Sequence, residues 1–287
     1  MRVAIQGERG SFSHEAALRM MAEREVDAQV LFCALSAEVF ARVGEGQADA
    51  AVIPIENSLA GSVLEHYDLL LANELKIRAE LLLRIRHHLI AAEGVGLDQV
   101  REVYSHPIAL AQCRVFFKEH PEAQAMPYYD TAGAAAHAVK TGGAVAGIAS
   151  RHAADQYGGT VLLSEIEDNP QNYTRFLLLT PQTAGQWSGL EQAIAEAERA
   201  NKVSLAFAVP NRSGSLVAAL EIFARCGLNL TRLESRPVPG SPWQYVFYAD
   251  YQLQTNESAD TALRELDASC LFVKELGRYK SAEPPQL

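Results

Sequence analysis

The chain is poor in the features that build stapled, membrane-bound or nucleic-acid-binding proteins. Its four cysteines, Cys33, Cys113, Cys226 and Cys270, stand far apart with no Cys-x-x-Cys pair. That spacing argues against a zinc cage or a disulfide framework and leaves buried thiols as the expected state. No sustained run of lysine and arginine occurs, and the formal net charge is −10. Nucleic acid is therefore not an expected partner, because neutralising phosphates needs clustered positive charge. No stretch of about 20 apolar residues is present. Met1-Arg2-Val3-Ala4-Ile5 passes directly into Gly7 without a signal-peptide core, so a cytoplasmic protein with no membrane partner is expected. What is present is a 48% hydrophobic chain of 287 residues, enough for one large or two moderate domains with a buried core.

The first half alternates strand and helix signals. A short apolar strand over 3–6 breaks at Gly7-Glu8-Arg9-Gly10, and Ser11-Phe12-Ser13-His14 opens an alanine-rich helix. A helix start after a glycine loop offers unpaired N–H groups and a positive dipole end, suited to a carboxylate or phosphate. The competing reading is two serines, Ser11 and Ser13, that cap an ordinary helix. Strands at 29–33 and 50–53, with a helix over 37–43 between them, give the βαβ rhythm of a mostly parallel sheet. The polar cluster after the second strand, Pro54-Ile55-Glu56-Asn57-Ser58, lies where open α/β sheets bind ligands. Glu56, Asn57 and Ser58 are candidates for an acceptor and donors there, or for the local bonds of a capped turn, with Ser62 a candidate cap of the following helix.

Residues 75–92 fit two extended segments crossing to a second lobe. The adjacent His87 and His88 would then face opposite sides and cannot readily share a metal, so no metal is expected. A strand over 100–104 leads to Ser105-His106-Pro107, with Ser105 a natural cap, Pro107 in the first turn and His106 either a ligand contact or a wall residue. Asp130 or Thr131 caps a further helix, a buried strand covers 144–149, and Ser150 starts another helix. The stretch Asn169-Pro170-Gln171-Asn172-Tyr173-Thr174-Arg175-Phe176 reads as a loop entering a buried strand. Thr174 and Arg175 at that junction can hold a hydroxyl and a guanidinium beside a small anion; alternatively they are a strand-favouring threonine and a surface arginine. Two α/β lobes facing across a cleft are expected. Beyond a linker, which includes a short helix at 189–200, the pattern from 202 onward is strand, helix, two strands, helix, strand. Such a βαββαβ module has edges that invite pairing with a second copy.

Taken together, Gly10-Ser11-Phe12-Ser13-His14-Glu15-Ala16-Ala17, Pro54-Ile55-Glu56-Asn57-Ser58, Ser105-His106-Pro107 with Ala109-Leu110-Ala111-Gln112-Cys113, and Asn172-Tyr173-Thr174-Arg175-Phe176 resemble prephenate dehydratase. The C-terminal module looks like an ACT domain, with Leu228-Asn229-Leu230-Thr231-Arg232-Leu233-Glu234-Ser235-Arg236-Pro237 similar to its regulatory signature. The resemblance implies an α/β fold: a two-lobed, periplasmic-binding-protein-like catalytic domain over 1–181, a linker over 182–201, a ferredoxin-like ACT domain over 202–280 and a tail over 281–287. It implies a lyase that converts prephenate to phenylpyruvate, water and carbon dioxide without cofactor or metal. Thr174 would assist the leaving hydroxyl, and Arg175, Ser11, Glu56, Asn57, Ser58 and His106 would complete the substrate pocket. Phenylalanine would bind as effector near Gly214, Ser215, Leu216, Asn229, Leu230, Glu234, Ser235, Arg236 and Pro237, between paired ACT domains. Ser215 stands where the family more often has alanine. A homodimer or homotetramer is expected, and a fused chorismate mutase is not. An arogenate dehydratase and a non-catalytic amino-acid sensor remain as other readings.

Overall fold

A computed structural model describes residues 1–182, 200–238 and 241–283. The helix expected at 189–200 lies outside the described residues, apart from Ala200. The chain divides into two compact units, Met1–His66 with Leu81–Phe176, and Tyr67–Glu80 with Leu177–Leu287.

The first unit holds two lobes. In the first lobe, β1 (Arg2–Gln6) runs parallel to β2 (Gln29–Cys33) and to β3 (Ala50–Asn57), with α1 (Phe12–Ala22) and α2 (Ser36–Gly44) as crossovers. Val3, Ala4 and Ile5 are all fully buried, as a central parallel strand covered on both faces requires. The short β4 (Gly61–Ser62) folds back on β3 and places Ser62 opposite Glu56. The helix α3 (Leu64–Ala72) then starts two residues beyond Ser62 and belongs to the second unit from Tyr67 onward. The full sheet order is β2-β1-β3-β11-β5, with β5 at Leu75–Arg84 and β11 at Tyr173–Pro181, of which Leu75–Glu80 and Leu177–Pro181 belong to the second unit.

The second lobe is a five-stranded sheet of order β10-β6-β9-β7-β8, built from β6 (His88–Ala91), β7 (Glu102–Ser105), β8 (Gln124–Pro127), β9 (Val145–Ala149) and β10 (Thr160–Leu163). The expected helix over 108–117 is two short ones, α4 (Pro107–Ala111) and α5 (Arg114–Glu119). Its cap is His106 rather than Ser105, whose hydroxyl is buried and donates to the Ile148 carbonyl at 2.6 Å. The helix α6 (Thr131–Thr141) is rich in small residues and lies against β9. A Cβ at Gly147 would come within 2.8 Å of the Ala134 carbonyl oxygen, so the glycine permits that approach.

The chain crosses between the lobes twice, at 85–87 and at 164–172. Near these crossings the Gly7–Gly10 loop meets α7 (Arg151–Tyr157). Ser150 Oγ donates to the Gly10 carbonyl at 2.8 Å, and the Tyr157 hydroxyl donates to the Arg9 carbonyl at 2.8 Å. A Cβ at Gly10, where φ is +86°, would stand 2.7 Å from Ala153 Cα. His14 Nδ1 accepts the Gly10 N–H at 3.0 Å and lies 2.9 Å from His152 Nε2. Nδ1 is therefore the unprotonated nitrogen, and His152 supplies the hydrogen. Burial, then His152 and Arg9, lower the His14 pKa to about 4.

In the second unit, β12 (Lys202–Ala208), α8 (Ser215–Arg225), β13 (Leu230–Val238), β14 (Ser241–Gln252), α9 (Asn256–Ser269) and β15 (Phe272–Tyr279) form an antiparallel sheet of order β13-β14-β12-β15. This is the expected βαββαβ arrangement. Its helices bury Phe223, Ala262 and Leu266 with Val203, Leu205 and Phe207 of β12. No helix among the described residues is long and apolar enough to cross a membrane.

Candidate active site

The first unit contains a cavity of about 740 Å³, lined from both lobes. One wall comes from the loop after β1 and the start of α1, through Gly7, Glu8, Ser11, Phe12 and Ser13. Opposite residues include His106, Gln112, Tyr129 and Asp130. Thr174 and Phe176, alternate residues of β11, both line it. Strand geometry puts positions two apart on one face and the residue between them on the other. Arg175 is accordingly not among the lining residues and, at 8% exposure, is buried.

Thr174 is held by an ordered chain of amides. Asn57 Nδ2 donates to Thr174 Oγ1 at 2.9 Å, to Asn172 Oδ1 at 2.8 Å and to the Tyr173 carbonyl at 3.2 Å. Asn57 Oδ1 accepts from Leu59 N at 3.0 Å and from Ala60 N at 2.8 Å, which fixes the orientation of the amide. Asn172 Nδ2 donates to Gln112 Oε1 at 2.9 Å, and His87 Nε2 lies 3.0 Å from the same oxygen. Burial lowers the His87 pKa, so its ring is neutral and Nε2 donates. The consequence for Thr174 is directional. Because Asn57 fills an acceptor position on Oγ1, the single hydroxyl proton is available for a group in the cavity.

Acids occupy another part of the wall. The Tyr129 hydroxyl donates to Glu8 Oε1 at 3.3 Å, and its own pKa is pushed up to about 12 by burial and then by Glu8. Asp130 caps α6 by accepting Gly133 N at 2.8 Å. Burial nevertheless raises its carboxyl above the usual range. Ser11 Oγ caps α1 by accepting His14 N at 3.2 Å, and His106 Nδ1 accepts Ile108 N at 3.3 Å.

The family model for prephenate dehydratase matches residues 3–184 of the chain. The chain belongs to the prephenate dehydratase family. A prephenate dehydratase from Arthrobacter aurescens, solved in complex with L-Phe, is similar at 31% identity with TM-score 0.85, over all of this chain and 93% of that one. The structure of GqqA, described as a novel type of quorum-quenching acylase, is similar at 31% identity and TM-score 0.84, over 99% of both chains. The arogenate dehydratase/prephenate dehydratase 2 of Arabidopsis thaliana is 37% identical over 97% of this chain and 72% of its own length.

Of the substrate residues expected for this family, Thr174, Asn57, Ser11 and His106 meet at the cavity, whereas Arg175, Glu56 and Ser58 are not among its lining residues. Ser58 instead ties the loop to β11. Its N–H donates to the Tyr173 carbonyl at 2.8 Å, its hydroxyl donates to the Gln171 carbonyl at 3.0 Å, and Tyr173 N donates to that hydroxyl at 2.9 Å. Gln112, Asn172 and His87 were not singled out for the site from sequence, although Gln112 and Asn172 stand inside the motifs quoted for the resemblance. The pair Glu8 and Asp130 was also missed.

The expected effector residues lie in the second unit. Gly214 precedes α8 in a left-handed conformation, and Ser215 Oγ is buried with no hydrogen-bond partner among the described residues. Leu216 packs on the core. Asn229 Nδ2 donates to Gln252 Oε1 at 3.0 Å. On β13, Leu230, Glu234 and Arg236 are half-buried, while Ser235 and Pro237 are exposed. Arg236 forms a two-pronged ion pair with Asp68 of α3, one bond running from Nε to Oδ1 at 3.2 Å and a second from Nη2 to Oδ2. Glu234 accepts from Arg232 Nη2 at 3.0 Å.

Proposed function

We propose that the chain removes water and carbon dioxide from prephenate to give phenylpyruvate, in the cavity around Thr174. The observation that carries this reading is the Asn57 N–H on Thr174 Oγ1. Prephenate loses a ring hydroxyl as its ring carboxylate leaves, and aromatisation supplies the driving force. Threonine is too weak an acid to hand over a proton unaided. A hydroxyl already accepting one hydrogen bond is polarised and aimed, and so acts as a preorganised donor to the departing oxygen. The start of α1, with Ser11 and Ser13 on the wall, suits a substrate carboxylate. Arg175 and Ser58 are assigned to bracing β11 and its neighbouring loop, and Glu56 to the β3–β4 turn.

Residues 202–280 are read as an ACT regulatory domain and 1–181 as the catalytic part. The L-Phe in the Arthrobacter complex supports phenylalanine as effector, with Gly214, Ser215, Leu216, Asn229 and the 234–237 segment as its site at an interface between two copies. Feedback control by the end product, a homodimer or homotetramer and a cytoplasmic location belong to the same reading. Phenylalanine inhibits by binding the less active state more tightly.

The test is product formation from prephenate by the purified chain, with and without phenylalanine, with arogenate and an N-acyl amine assayed in parallel. Prephenate turnover suppressed by phenylalanine is expected. Preference for arogenate would move the substrate to the other one in the Arabidopsis relative's name. Hydrolysis of the acyl amine alone would replace the lyase reading with that of the acylase structure. Against that outcome, Ser11 Oγ caps α1 and His14 Nδ1 is taken by Gly10 and His152, so these residues do not form the nucleophile–base pair such hydrolysis uses. No turnover of any substrate would favour a sensor.

A further inference from the structure

A second cavity of about 620 Å³ in the first unit shares only Phe12 with the cavity around Thr174. It is far more charged. Four guanidiniums, those of Arg19, Arg84, Arg86 and Arg151, line it against three carboxylates, those of Glu15, Asp155 and Glu165. They come from both lobes and from both crossings: Arg19 from α1, Arg84 and Arg86 at and just after the end of β5, Arg151 from α7, and Glu165 from the returning segment.

Arg19 Nη2 is matched by Glu15 at 2.7 Å, and Arg84 Nη2 also lies 3.9 Å from Glu167, so the least matched guanidiniums of the cavity are those of Arg86 and Arg151. Glu165 is divided between Arg84 Nη2 and Arg86 Nη1, each at 3.2 Å. Arg151 Nη2 donates to the neutral Ser164 hydroxyl at 3.2 Å. Arg84 Nε is buried with no hydrogen-bond partner among the described residues. The same is true of Nδ1 of His88, a residue 4% exposed that also lines the cavity. Those two atoms are closed off from the cavity itself, and the donors open to it are the guanidinium forks of Arg86 and Arg151, shaped for oxyanions.

We propose that this second cavity is a binding site for a small oxyanion with two acidic groups, taken between Arg86 and Arg151. A ligand spanning those residues ties a crossing segment to α7 and restrains the two lobes against each other. The probes are inorganic phosphate and succinate, titrated calorimetrically into the intact chain at constant ionic strength, with chloride as the reference salt. Saturable binding of at least one probe is expected, weakened about tenfold or more by Arg86→Gln and by Arg151→Gln, as loss of a charge-assisted hydrogen bond implies. Thr174→Val serves as the control for binding in the other cavity and leaves the affinity unchanged. Circular dichroism and thermal melting establish that each variant is folded. The proposal is overturned if neither probe binds beyond chloride, if both arginine variants bind as the parent does, or if Thr174→Val removes the binding.

Discussion

Replacing Asn57 by aspartate reverses the polarity of one position while barely changing its shape. The amide oxygen bonds from Leu59 and Ala60 persist, but the three donations from Nδ2, at 2.8, 2.9 and 3.2 Å, are lost. In their place a carboxylate oxygen faces Asn172 Oδ1 and the Tyr173 carbonyl, and it draws the Thr174 hydroxyl proton toward itself and away from the cavity. The amide has two hydrogens for these three acceptors, so two net hydrogen bonds of about 1 kcal/mol each suggest a stability loss of about 1–3 kcal/mol. The rate effect is larger. Losing one preorganised donor to a developing negative oxygen costs about 10²–10³ in kcat, and Asn57→Asp should show that loss with KM little changed. The assay is phenylpyruvate formation at saturating prephenate, with urea unfolding to confirm that the variant is folded under assay conditions. Thr174→Val should lose the same factor. The double variant should be no more than about threefold slower than Thr174→Val alone, since both changes remove one interaction. A folded Asn57→Asp variant that keeps more than a tenth of the parent kcat, or a double variant whose losses multiply, would refute the reasoning.

Gly10→Ala should destabilise the first unit by about 2–4 kcal/mol, through positive φ and a Cβ only 2.7 Å from Ala153 Cα; an unchanged urea midpoint would contradict that contact. Acid should weaken the fold through His14, whose pKa is about 4 in the folded chain against an ordinary 6.5. The unfolded chain takes up this proton first, so His14 leaves stability undiminished above pH 6.5 and lowers it as pH falls from 6.5 toward 4. The loss is about 1–3 kcal/mol after allowing for solvent screening, and unfolding free energies measured from pH 7.5 to 4.5 check it. Ser215→Ala removes a buried hydroxyl without a partner among the described residues, so it should raise the melting temperature, by a gain of about 0.5–1 kcal/mol. A lower melting temperature would mean that the hydroxyl has a partner in solution.

Local chemistry explains what was legible in the sequence. Apolar runs such as Val3-Ala4-Ile5 and Leu177-Leu178-Leu179, with glycine and polar loops after them, signal buried strands whose ends point to a site. The βαββαβ order follows from the same punctuation. Thr174 was readable because it stands where a polar loop meets such a strand. The register of Arg175 was readable too, since period two sets it on the face opposite Thr174 and Phe176. What could not be read depends on distance along the chain. Gln112 reaches Asn172 across 60 residues, and Arg236 meets Asp68 across 168; nothing local announces either bond. The split of the expected 108–117 helix also depends on a remote group, because Asp168 accepts Arg114 N and Val115 N at the start of α5.

The Asn57 amide also bears on the chemical lifetime of the protein. Asparagine followed by a small residue such as Ser58 ages by attack of the next backbone nitrogen on its side-chain carbonyl, which releases ammonia and leaves aspartate or its isomer; thermolability of this kind disfavours asparagine in proteins from hot environments. At this position ageing would produce the very reversal of polarity described above. The fold guards against it: the attacking nitrogen, Ser58 N, is committed to the Tyr173 carbonyl at 2.8 Å, and both ends of the amide are held. The bonds that aim Thr174 thus also keep the residue that aims it from wearing out, and a preparation in which they loosen would lose activity in storage before it loses its fold.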